Sequence, residues 1–194
     1  MHTAFSRYND LAEQGRKALH PFDNQHQMSG AGTVALEIFE DLPEITDLVI
    51  SIAGGGLITG NTIAIKGIKP QVRVWGVQTE GAASMKSALD SGKVVSITPT
   101  SMAKTLGAPF VAQDALKIAQ KYLEDLLIVS DKQAIEAQQL ILERTKVMPE
   151  LAASCTLAAV ETIKDRFGLD DHLVLLMCGG NESVANLVNY SKMI

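Results

Sequence analysis

The stretch DLVISIAGGGLITG, Asp47 to Gly60, carries the reading of the fold. Its first half, Asp47–Ala53, is a near-continuous apolar run without polar alternation, the pattern of a parallel strand covered on both faces. Its second half opens with three consecutive glycines, Gly54, Gly55 and Gly56, and continues into an apolar segment of helical period. Glycine weakens strands and helices alike, so a triplet at their junction implies something brought close to the backbone. Backbone N–H groups in a strand-to-helix turn, added to the positive end of the following helix, make a site for an anion, with phosphate the natural guest. Gly54, Gly56 and Gly60 are spaced G-x-G-x-x-x-G, which is neither a P-loop nor G-x-G-x-x-G, so a small phosphorylated cofactor is favoured over a nucleotide. A tight turn where a helix packs closely on a strand is the structural alternative.

Outward from this stretch the same alternation runs to the end of the chain. Further apolar runs of strand length are Val72–Gln78, Asp125–Ser130 and Leu173–Cys178, and each is expected to be central in a sheet. Between them the periodicity predicts helices over Gly32–Asp41, Leu57–Lys66, Ala82–Asp90, Gln113–Tyr122, Asp131–Lys146, Ala152–Asp165 and Glu182–Tyr190. Ser130 and Gln133 form a candidate capping box for the fifth of these. Residues Ser96–Pro109 read as a crossing loop interrupted by Pro99 and Pro109. The class is therefore α/β, an open, mostly parallel sheet in a three-layer αβα arrangement. The opening segment looks like a helix running into an extended HPFDNQ, with nothing before it to cover its apolar residues, so the fold is expected to be incomplete at the N-terminus.

With 46% hydrophobic and 20% charged residues in 194, the chain can bury a sizeable core. A net charge of −5 with scattered lysines and arginines excludes the electrostatic footprint of a nucleic-acid or anionic-membrane partner. Neither a membrane span nor a secretory signal is visible, which points to the cytoplasm. The two cysteines, Cys155 and Cys178, lie far apart, form no CxxC and are expected to be reduced.

A second glycine-rich turn, MCGGNES (Met177–Ser183), ends the last apolar run. Ligands of open parallel sheets sit beyond the carboxyl ends of strands, so two such turns point at one crevice, with Cys178 the last side chain of its strand. A buried small hydrophobe is the ordinary reading of a free cysteine, and the neighbouring Gly179-Gly180-Asn181 shifts the balance toward a ligand.

Six segments taken together resemble the threonine dehydratase and serine racemase-like group of fold type II pyridoxal-phosphate enzymes. They are HPFDN (His20–Asn24), GAGTVALEI (Gly30–Ile38), AGGGL (Ala53–Leu57), KTLGAP (Lys104–Pro109), ERTKVMPELAASCTLAA (Glu143–Ala159) and CGGN (Cys178–Asn181), in the family's order. The resemblance implies the tryptophan synthase β-like fold, with residues 1–28 the end of the small domain and a crossover, and residues 29–194 the large cofactor domain. It implies pyridoxal 5'-phosphate as cofactor, its phosphate held by the main chain of Gly54, Gly55, Gly56 and Leu57, with Ala53 where the family usually has another glycine. It places Cys178, followed by Gly179, at the pyridine nitrogen, where a neutral thiol makes the ring a weaker electron sink than a carboxylate would. The implied reaction is the α,β-elimination of threonine or serine to a 2-oxo acid and ammonia. A racemase or other β-elimination enzyme of the same fold, and a non-catalytic cofactor-binding fragment, stay open beside it.

The family's Schiff-base lysine belongs to a Ser/Thr-x-Lys-x-Arg-Gly type motif, and no lysine here has that setting. Lys86, Lys93, Lys132 and Lys192 follow a serine by two positions but lack the arginine, and Lys104 matches the family's crossing loop. No catalytic residue is therefore assigned, and the chain is expected to be inactive alone, as a C-terminal portion that seeks a missing N-terminal segment or forms a homo-oligomer. The family's cation site corresponds to Glu80, Ser84 and Lys86. A lysine there repels a cation, so no divalent metal is expected and Glu80 and Lys86 should be exposed or paired. Glu150 matches a family glutamate near the cofactor, and equally suits the N-terminus of a helix.

Overall fold

The computed structural model describes residues 2–193, with side chains from residue 6 onward. Four strands, β1 (Asp47–Ser51), β2 (Arg73–Thr79), β3 (Leu123–Val129) and β4 (Leu173–Leu175), form one sheet in the order β3-β2-β1-β4. Every pairing is parallel. Helices α1 (His2–Glu13) and α2 (Gln25–Asp41) precede the sheet, and α3 (Gly56–Ile68) connects β1 to β2. Helices α4 (Ser84–Ser91) and α5 (Gln113–Tyr122) lie between β2 and β3, α6 (Asp131–Thr145) and α7 (Leu151–Ile163) between β3 and β4, and α8 (Val184–Tyr190) follows.

Successive side chains of a strand point to opposite faces, and that alternation divides the core. Leu48 and Ile50 of β1 join Val72 and Val74 against α2, α3 and α5 on one face. Val49, Trp75 and Val77 pack against Ile135 of α6 and Leu151, Cys155 and Ala159 of α7 on the other. The expected three-layer α/β architecture is thereby formed.

Local chemistry sets several boundaries. Asn24 caps α2, its side chain accepting from His26 N at 2.9 Å and Gln27 N at 3.3 Å, so the helix starts seven residues before the predicted Gly32. The Ser130–Gln133 capping box is present at α6, with Ser130 N donating to Gln133 Oε1 at 2.8 Å. A 3-10 turn over Glu80–Ala82 delays α4 to Ser84. The crossing loop contains a single 3-10 turn, Lys104–Leu106, within the predicted irregular segment.

The expectation that every strand is central is corrected: among the described residues only β1 and β2 have neighbours on both sides. An apolar run reports that helices cover both faces of a strand; it carries no information on whether both edges are paired. Edge strand β3 accordingly exposes Glu124 and Asp125. Strand β4 ends at Leu175, although Leu176 N still donates to Val49 O at 3.0 Å.

Asp47 opens β1 fully buried, an arrangement the apolar pattern did not announce. Its carboxylate accepts from Arg73 Nε, Trp75 Nε1 and Thr46 Oγ1, each at 2.7 Å. Arg73 also donates to Asp171 at 2.8 Å, just before β4. The two carboxylates raise the guanidinium further above its ordinary value, against the opposing effect of burial. The N-terminal end of the sheet is thus pinned across β2, β1 and the approach to β4.

Candidate active site

At the opposite end of the sheet, β1 leads through Ser51–Ala53 into the glycine turn. The strand order runs to β2 and β3 on one side of β1 and to β4 on the other, so the carboxyl end of β1 is a topological switch point, where open α/β sheets hold ligands. A cavity of about 590 Å³ opens there. Ala53, Gly54, Gly55, Gly56, Leu57 and Cys178 all line it, so the first glycine-rich turn shares this crevice with Cys178, which lies beyond β4 rather than at its last position. Gly179 lies behind the wall, against the Glu150 carboxylate, where an ideal Cβ would overlap Oε1.

What comes close to the glycines is the chain itself. A Cβ on Gly54 would overlap the Phe22 ring, one on Gly55 would overlap the Ala115 methyl, and one on Gly56 would overlap Gln27 Oε1. Gly55 has φ +96°, a left-handed conformation that suits glycine. The triplet therefore lets the segment around Phe22 and helix α5 close on the turn. Packing thus accounts for the missing side chains, the structural alternative weighed for this turn.

The polar character of the turn is a separate matter, and it suits an anion. Gly55 caps α3 without any side-chain hydrogen bond, and the first-turn amides of Gly56, Leu57 and Ile58 have no intrahelical acceptor. These amides add to the positive end of the helix, and their residues line the cavity. Ala53 lies outside the left-handed region, so its side chain is tolerated beside the glycines. The residues present fit a phosphate group.

In the same cavity, Cys178 Sγ lies 3.6 Å from Ser51 Oγ. Cys178 is an exposed residue, yet the atoms packed around its sulfur raise the thiol by desolvation; the Ser51 hydroxyl opposes this and the Glu150 charge adds to the rise, so the thiol is neutral at physiological pH. Glu150 follows Pro149 at the N-cap of α7, its backbone N–H donating to Gly179 O at 3.0 Å. Burial raises its carboxyl, a hydrogen bond from Thr105 opposes this, and the charge of Glu182 raises it again. Cys155 is buried in α7 and donates to Leu151 O at 3.1 Å. Burial pushes that thiol up to about 12, which marks it as structural.

Tyr8, Phe22, Gln27 and Thr105 also line the cavity. HPFDN and KTLGAP drew attention to the segments of Phe22 and Thr105; Tyr8 and Gln27 had no signal, because helical residues announce no partner fourteen or more positions away. Lys104 points elsewhere, donating to Ser101 O at 3.0 Å. None of the described residues that line this cavity is a lysine. Of the cation-site positions, Glu80 is exposed and Lys86 pairs with Asp90. The described residues contain no group of three or more His, Cys, Asp or Glu side chains arranged to hold a metal ion.

An open parallel α/β sheet with a glycine-rich turn and a cysteine lining one cavity at its switch point places the chain among α/β proteins that hold ligands at the carboxyl ends of their strands. The family model described as pyridoxal-phosphate dependent enzyme matches residues 2–179, and the chain belongs to that family. It is 34% identical over 172 residues to an L-threonine ammonia-lyase of Thermotoga maritima, covering 88% of this chain and 42% of that one. It is 31% identical over 155 residues to a serine racemase of Oryza sativa, covering 80% and 45%. The solved structure of maize serine racemase superposes with a TM-score of 0.84 at 27% identity, covering 94% of this chain and 56% of that one. The chain thus spans about half the length of the curated relatives it matches, and it aligns with their C-terminal portion. Among the described residues no helix is long and apolar enough to cross a membrane.

Proposed function

We propose that the chain is the cofactor-domain portion of a pyridoxal-phosphate dependent threonine or serine ammonia-lyase, which yields a 2-oxo acid and ammonia by α,β-elimination. The observation that carries this reading is the cavity at the switch point, lined both by the uncapped first turn of α3 and by the Cys178 thiol. In this reading the amides of Gly54–Leu57 bind the cofactor phosphate, aided by the positive end of α3. When bound, the cofactor supplies an electron sink for charge that develops at the substrate Cα. Cys178, beside Gly179, would meet the ring nitrogen as a neutral thiol, and a thiol offers no carboxylate to hold a proton there, which would favour elimination over other fates. Residues 1–28 belong to the end of the small domain and residues 29–194 to the large domain. The amine that tethers the cofactor and moves the Cα proton lies outside this chain, which supports cofactor binding without turnover. The protein works in the cytoplasm.

Two measurements test this. Purified chain is titrated with pyridoxal 5'-phosphate and dialysed to remove loosely held imines, and borohydride is added only afterwards. Reversible binding with no covalently retained cofactor is expected; retained cofactor would locate a competent lysine in the chain and refute its assignment elsewhere. The chain is then mixed with the N-terminal half of a threonine ammonia-lyase and supplied with L-threonine, and 2-oxobutanoate is expected only in the mixture.

The racemase reading draws support from the serine racemases among the relatives at comparable identity. With L-serine as substrate the mixture should form pyruvate in excess of D-serine; the reverse ratio would favour the racemase. The exposed Val184 and Val188 of α8, 69% and 51% accessible, support association with a second segment or a second copy.

A further inference from the structure

One polar group beside the glycine turn is unexplained by packing. Gln27 extends from the first turn of α2 to Gly56, and its Oε1 is buried without a hydrogen-bond partner among the described residues. Such a buried acceptor costs about 1–3 kcal/mol, and a methionine would fill the space without that penalty. The capping task at this helix end belongs to Asn24, which accepts from Gln27 N at 3.3 Å, so the Gln27 carboxamide is not needed for it. Gln27 lines the same cavity as the first-turn residues of α3, where positive potential accumulates. A half-turn about its terminal torsion exchanges acceptor for donor without moving the stem.

We propose that Gln27 is a phosphate-reading residue of this site. With a phosphate ester seated on the α3 amides, the Gln27 carboxamide turns and Nε2 donates to a phosphate oxygen, so that an unpaired acceptor gives way to a paired donor. Gln27 then discriminates the phosphorylated cofactor from its unphosphorylated form. The inference rests on the reading of the glycine turn as a phosphate site.

The test compares binding of pyridoxal 5'-phosphate and pyridoxal to the full chain by equilibrium dialysis, using the absorbance of each compound. The wild type should prefer the phosphorylated form. Gln27→Met keeps length and apolar bulk but has no donor, and should reduce that preference about tenfold while pyridoxal binding stays unchanged. Gln27→Glu places a negative charge against the phosphate and should reduce the preference further. Equal losses for both compounds in the two variants would mark a structural role and overturn the proposal. Unchanged preference in Gln27→Met would overturn the role of Gln27 and leave the phosphate site standing. A wild type with no preference for the phosphorylated form would overturn the phosphate reading, and Gln27 with it. Circular dichroism and the thermal midpoint of each variant establish that the fold is kept.

Discussion

Gly54 and Phe22 illustrate how a residue can be required for one reason and used for another. The glycine clears space for an aromatic ring, and the same clearance leaves main-chain amides open to a cavity. Gly54→Ala should destabilise the fold by about 1–3 kcal/mol through overpacking, measured by urea unfolding, whereas Ala53→Gly should change it by less than about 1 kcal/mol. The two thiols should separate by reactivity. Iodoacetamide should label the exposed Cys178 in the folded chain, with a pH dependence displaced above that of an ordinary thiol, while the buried Cys155, pushed up to about 12, should label only after unfolding. Glu150 makes an opposite contribution to that of a salt-bridged carboxylate. Its folded carboxyl keeps its proton to higher pH than the unfolded chain does, so the native state binds more protons in that window and stability falls as pH rises through it. Glu150→Gln should remove this decline, seen as urea midpoints that differ less between about pH 4 and pH 7 than in the wild type.

At the scale of elements, the helices were legible wherever their ends carry local signals. Ser130 and Gln133 name the start of α6 because capping depends on residues three apart in the chain, and Ser130→Ala should cost about 1 kcal/mol, read from thermal unfolding. Asn24 would have announced α2 by the same logic, but the extended HPFDNQ drew the boundary later. The crossing of α2 and α3 was not legible. Gly32 meets Gly60 O at 2.9 Å from its ideal Cβ, and a Cβ on Gly60 would overlap Met28 O, so two helix backbones touch where the sequence shows only isolated small residues. Gly60→Ala should therefore destabilise the pair by about 1–3 kcal/mol despite the better helix propensity of alanine, a result that urea unfolding can check.

The molecule as a whole is fastened at one end of its sheet and open at the other. The Asp47 cluster ties β1 and β2 to the approach of β4, and Asp47→Asn should cost about 2–3 kcal/mol in urea unfolding. The value lies below that for breaking a fully buried pair because the Arg73 side chain keeps 32% exposure and retains Asp171. By itself the sequence determined the α/β class, the parallel strands, the two glycine-rich turns and the family, since each is written in periodicity, local capping or contiguous motifs. Only the tertiary structure decided which strands are edges, that Phe22, Ala115 and Gln27 fill the space beside the glycines, and that Tyr8 and Gln27 share a cavity with Cys178. Those facts depend on contacts between residues distant in the chain, and such contacts leave no spacing to read because the crossover connections that create them place no constraint on the intervening sequence.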